Sequence, residues 1–155
     1  MTNDELKNMI AASDNPLVRN KLDKISRKIA YLTRDQEPLI KDLKEVGINV
    51  ESVWDLVNNK PLPHLNSNFT GDYRIAYPVL IKHLDYKYHP RTIEGIIRAL
   101  TEKGAKTIAT EKILEMFYKE TNKSLKWAMA NALKTLMSWK SRQKYPDIEK
   151  TYRGL

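Results

Sequence analysis

The sequence predicts an all-α fold, a short stack of antiparallel helical hairpins, on three observations. Apolar residues recur at intervals of three and four in every strongly patterned segment, and period-two alternation occurs in none. Residues 73–139 match themselves at an offset of 33, which places Ala99-Leu100 on Ala132-Leu133. In that register Gly95 falls on Ala128, a small residue where two helix backbones must approach. At 155 residues the chain is read as a single domain, 1–155, large enough to bury a core without covalent staples.

Each element follows from local signals. Residues 1–14 lack sustained periodicity and read as a short or frayed lead-in helix. Asn15-Pro16 supplies a cap and a proline at the first helical position, where a missing N–H costs nothing. Leu22, Ile25, Ile29 and Leu32 then form one apolar stripe, and Leu39, Leu43 and Val46 continue it. Pro38 removes a donor and clashes with the preceding turn, so the stretch is two helices or one kinked helix. Gly47 ends it. Asn49 caps a short helix, Glu51 to Asn58, completing the N-terminal helices of 15–58. Residues 59–72 carry two prolines and a run of turn formers, and read as a loop insertion.

Residues 73–139 hold the two repeated hairpins. In the upstream helices Leu80 pairs with Ile113, Ile81 with Leu114 and Leu84 with Phe117. In the downstream helices Gly95 pairs with Ala128 and Ile96 with Met129. His89-Pro90 starts the first downstream helix and Asn122 caps the second. Neither hairpin covers its apolar faces alone, so stacking buries them and the N-terminal helices cap one end. Residues 140–155 are polar with one proline and read as a tail or a poor final helix.

Composition excludes several function classes. Cysteine is absent, which removes disulfide scaffolds, thiol nucleophiles and thiolate metal sites. Five glycines leave little room for phosphate-cradling loops. The opening residues lack a signal-peptide pattern and no apolar run reaches membrane-spanning length, so a cytoplasmic, monomeric protein without membrane contact is expected. The formal charge of +8 is uneven. Residues 1–60 balance 10 Lys/Arg against 10 Asp/Glu, whereas 61–155 hold 17 against 9. That field favours anionic partners.

No catalytic constellation emerges. His83, Asp85 and His89 lie within seven residues, but their spacing misses the i, i+3 or i+4 rule for ligands on one helix face. They read as surface groups near a hairpin. Glu111 and Glu115 are flanked by Lys112 and Lys119 and read as a solvated face. Neither an enzyme nor a cofactor is expected.

The downstream helices resemble the second helix of short bacterial HEAT repeats. Leu125-Lys126, Ala128 and Ala132-Leu133 carry the pattern of a branched apolar residue, a basic residue, small residues and Ala-Leu. Residues 53–58, 78–80, 91–100 and 126–133 are similar to segments of small HEAT-repeat proteins of armadillo type without an assigned function. This resemblance covers about two thirds of the chain, roughly 39–139. It implies an α-solenoid and a protein-interaction role.

Three functions are weighed on this basis. The first is a non-enzymatic module that binds a protein partner through its concave face. The 33-residue offset aligns Trp127, Asn131 and Lys134 with Glu94, Arg98 and Thr101, with Arg91 and Lys126 at the edge. The second is weak, sequence-independent nucleic-acid binding by Arg74, Lys82, Lys87 and Arg91, interleaved with Tyr73, Tyr77, Tyr86 and Tyr88. The third is an immunity or antitoxin protein that blocks an acidic or neutral toxin domain, since two basic surfaces repel.

Overall fold

The computed structural model describes residues 2–12, 15–58 and 71–155. Helix α1 spans Asn3–Ala12, α2 Pro16–Asp35, α3 Glu37–Glu45, α4 Trp54–Val57 and α5 Tyr77–His83. They are followed by α6 Pro90–Ala99, α7 Lys106–Lys119, α8 Lys123–Leu136, α9 Trp139–Arg142 and α10 Pro146–Arg153. Short 3-10 turns, Arg74–Ala76 and Lys103–Ala105, lead into α5 and α7. No strand occurs among the described residues, and no helix there is long and apolar enough to cross a membrane. Most of the expected 59–72 loop, residues 59–70, lies outside them.

The helices are placed by their ends. Asn15, His89 and Asn122 each accept a backbone N–H at 3.0 Å, from Leu17, Arg91 and Leu125 respectively. These side chains satisfy donors that a helix N-terminus leaves open. Pro38 divides the N-terminal stripe into two helices, α2 ending at Asp35 and α3 carrying the proline in its first turn. Gly47, with φ of 90°, closes α3. Its N–H reaches Lys44 O at 3.0 Å and that of Ile48 reaches Leu43 O at 2.9 Å, a Schellman pair that requires the left-handed residue.

Two rows of helices share one core. In one row α3 packs on α5 and α5 on α7; in the other α4 packs on α6, α6 on α8 and α8 on α10. The residues equated by the 33-residue offset are buried alike. Leu80 and Ile113, Leu84 and Phe117, Ile96 and Met129, and Leu100 and Leu133 all belong to the core. Gly95 sits where α6 crosses α4. A Cβ there would stand 2.6 Å from Val53 Cγ1 and 2.9 Å from Trp54 Nε1.

The structure departs from the sequence reading in four places. Residues 140–155 are not a tail, because α9 and α10 are helices and Ile148 is fully buried against α8. A short helix needs only one apolar edge, here Tyr145, Ile148 and Tyr152, and the long polar residues around that edge mask it. Asn49 does not cap α4. Asp55 Oδ2 instead accepts the N–H groups of Glu51 and Ser52 at 3.1 and 3.2 Å, and Ser52 Oγ accepts that of Trp54. The stripe of α2 is only half-covered, with Ile25 exposed and Ser26 its buried residue. His83, read as a surface group, is fully buried. Asp42 of α3 supplies the partner that permits this, from 41 positions away in the sequence.

Candidate interaction surface

The even-numbered row carries a continuous chain of aromatic and charged side chains. It begins on α4, where the Arg91 guanidinium of α6 lies 3.7 Å from the centre of the Trp54 ring. Arg91 also pairs with Glu94 at 3.1 Å, and Glu94 pairs at 3.0 Å with Arg98, one turn further along α6. The Arg98 guanidinium stands 6.0 Å from the Trp127 ring on α8. Trp127 stacks on Tyr152 of α10, with ring centres 5.6 Å apart, and its indole N–H donates to Tyr152 O at 3.1 Å. Lys134 of α8 completes the chain, 3.8 Å over the Tyr152 ring.

Helical spacing explains the register. Residues 91, 94 and 98 are one turn apart on α6 and share a face, as do 127, 131 and 134 on α8. Glu94 is shared by two guanidiniums, so the α6 part of the ridge keeps a net positive charge. Cation–ring contact favours the arrangement by about 0.5–1 kcal/mol per exposed pair.

Five of the eight residues expected on this surface lie in the ridge: Arg91, Glu94, Arg98, Trp127 and Lys134. Lys126 turns elsewhere, its Nζ 4.9 Å from the Phe117 ring on α7. Thr101 donates its hydroxyl to Ile97 O at 2.8 Å, a bond within its own helix end. Asn131 is half-buried between Trp127 and Lys134 in sequence. Trp54 and Tyr152 were not expected. Trp54 belongs to a helix outside the 33-residue register, and Tyr152 to the segment read as a tail or a poor final helix.

The four residues of the nucleic-acid reading sit on four different segments. Arg74 precedes α5 and pairs with Asp72, while Lys82 lies in the last turn of α5, 3.4 Å from Asp42. Eight residues of near-helical chain separate them, about 12 Å along the axis. Lys87 is exposed in the α5–α6 connection, and Arg91, at the start of α6, lies over Trp54 and pairs with Glu94.

The two histidines among the described residues, His83 and His89, are structural in placement. His83 Nε2 lies 2.6 Å from Asp42 Oδ2 and its Nδ1 lies 2.6 Å from the Tyr88 hydroxyl. A carboxylate only accepts, so Nε2 carries a proton, and in the neutral ring Tyr88 donates to Nδ1. The Tyr86 ring covers the imidazole at 4.2 Å. His89 caps α6, and its own N–H donates to Asp35 at 3.0 Å, as does the Thr92 hydroxyl at 2.8 Å. Those bonds fasten the C-terminus of α2 to the start of α6. The chain matches no protein-family model, no curated protein and no solved structure.

Proposed function

We propose that the chain is a non-enzymatic interaction module, a short HEAT-like solenoid of helical hairpins, that binds an acidic protein surface along the Trp54–Arg91–Arg98–Trp127–Lys134 ridge. The observation that carries this reading is the ridge itself: three aromatic rings, Trp54, Trp127 and Tyr152, each meet a cation along the four helices of one row. Trp and Arg are the side chains that most often dominate binding energy when a partner covers them. Arg91 remains half-exposed, so it has donors left for a carboxylate after its bond to Glu94. The row arrangement supports the solenoid reading, since equivalent faces of stacked hairpins form one continuous surface.

Affinity capture from a native-host lysate, with and without nuclease, tests the reading using the parent chain and an Arg91→Ala/Arg98→Ala variant. A protein retained by the parent after nuclease treatment and lost by the variant is the expected result. Material that disappears with nuclease, or that both chains retain equally, overturns it. Trp127→Ala is the weaker probe, because its stacking and hydrogen bond to Tyr152 also hold α10 in place.

A further inference from the structure

The cleft between α8, α9 and α10 has about 430 Å³ of open volume. Three cations converge there on the carboxylate of Glu149: Arg153 at 2.9 Å, Lys134 at 3.5 Å and Arg142 at 3.6 Å. One carboxylate among three cations leaves a local charge of about +2. Arg142 is the least satisfied of the three. Its side chain is only 16% exposed, its contact with Glu149 is long, and its buried Nε–H has no acceptor among the described residues. A guanidinium offers five donors, so most of its capacity is unused. At the rim stands Trp139, 70% exposed.

We propose that this cleft binds a mononucleotide, with the phosphoryl group held by Arg142, Arg153 and Lys134 and the base stacked on Trp139. A second carboxylate would leave half of the charge uncompensated, whereas a phosphate dianion matches it and offers three strong acceptor oxygens to donors arriving from three helices. The exposed indole suits the base, since every nucleobase presents a π-face. Glu149 keeps the cations gathered in the free protein and competes with the incoming anion. The cleft shares Lys134 with the ridge, but Arg142, Arg153 and Trp139 take no part in the ridge, so the Arg142 and Trp139 variants test the cleft alone.

Isothermal titration calorimetry of the full chain with adenosine monophosphate, inorganic phosphate and adenosine tests it. The nucleotide should bind about tenfold tighter than phosphate, as one stacked base implies. Trp139→Ala should abolish that advantage and leave phosphate binding unchanged. Arg142→Gln should weaken both anions by about tenfold or more, as loss of a charge-assisted bond implies. Glu149→Gln should tighten both by removing the competitor. Absence of nucleotide binding at millimolar concentration, equal affinity for nucleotide and phosphate, or indifference to Arg142→Gln would overturn the proposal. Should circular dichroism show that the Arg142 variant does not fold, Glu149→Gln decides, and unchanged or weaker binding there overturns it.

Discussion

Single residues hold the helices at fixed distances. Gly95 gives the sharpest case, because two effects of similar size oppose each other there. Alanine in a helix interior gains up to about 1 kcal/mol over glycine. The added Cβ, however, would lie 2.6 Å from Val53 Cγ1, and Val53 is fully buried with no room to yield. Gly95→Ala should therefore destabilise by about 1–3 kcal/mol in denaturant unfolding, and Gly95→Leu by more. Gly104→Ala is the control: its Cβ meets nothing closer than 3.4 Å, and the denaturation midpoint should barely move. Asp42 governs a second effect. The hydrogen bond from His83 lowers its pKa, against the opposing effect of burial, and the Lys82 charge assists. A carboxyl depressed in the folded state contributes stability that is complete above its unfolded value, about 4, and is lost as pH falls through the folded value. Asp42→Asn should thus lower stability at neutral pH and flatten the acid limb below about pH 4, measured as urea midpoints against pH. An unchanged acid limb would show that the His83 contact carries no such linkage.

Helix α10 shows how an element can be present in a sequence and be read only as one of two alternatives, a tail or a poor final helix. Its signals match those that identify α2 and α6: Pro146 lies in the first turn, as Pro16 and Pro90 do, and Tyr145, Ile148 and Tyr152 follow at helical spacing. Eight residues give a single apolar edge, too little for periodicity to stand out among lysines, arginines and acids. The longer helices α7 and α8 repeat their pattern over 14 residues each, and there the equated core pairs were legible. Ile148→Ala should cost about 2–5 kcal/mol, a core deletion, and free Trp127 from Tyr152 with a red shift of its fluorescence. A loss of under about 0.5 kcal/mol would mean that α10 is a surface appendage. The candidate surface was half-legible for the same reason. Spacing within α6 and α8 gives Arg91, Glu94, Arg98, Trp127 and Lys134, since one helix fixes its own face. Spacing says nothing about Trp54 or Tyr152, which reach the ridge through packing of α4 on α6 and α10 on α8. The His83–Asp42 bond escapes sequence reading likewise, because it spans 41 residues.

At the scale of the whole molecule, the two rows hold the core and the N-terminal helices α1 and α2 are laid against it. Helix α2 is 20 residues long, yet among its described side chains only Ser26 is buried. Leu17 and Val18 are exposed, and α1 packs on α2 rather than on the rows. By contrast, α3 contributes Leu39 and Leu43, both fully buried, and Gln36 accepts the buried Val53 N–H at 2.9 Å. The boundary between the two parts falls at Asp35, whose carboxylate accepts from His89 and Thr92. A chain beginning at Asp35 should keep its helical circular dichroism per residue in α3–α10 and unfold in one cooperative transition. Its loss of stability should be smaller than that caused by Ile148→Ala, because removing α1 and α2 uncovers half-buried side chains instead of emptying the core. A truncated chain that unfolds, or that melts in two steps, would show that the rows depend on α2, and the N-terminal helices would then be integral to the stack.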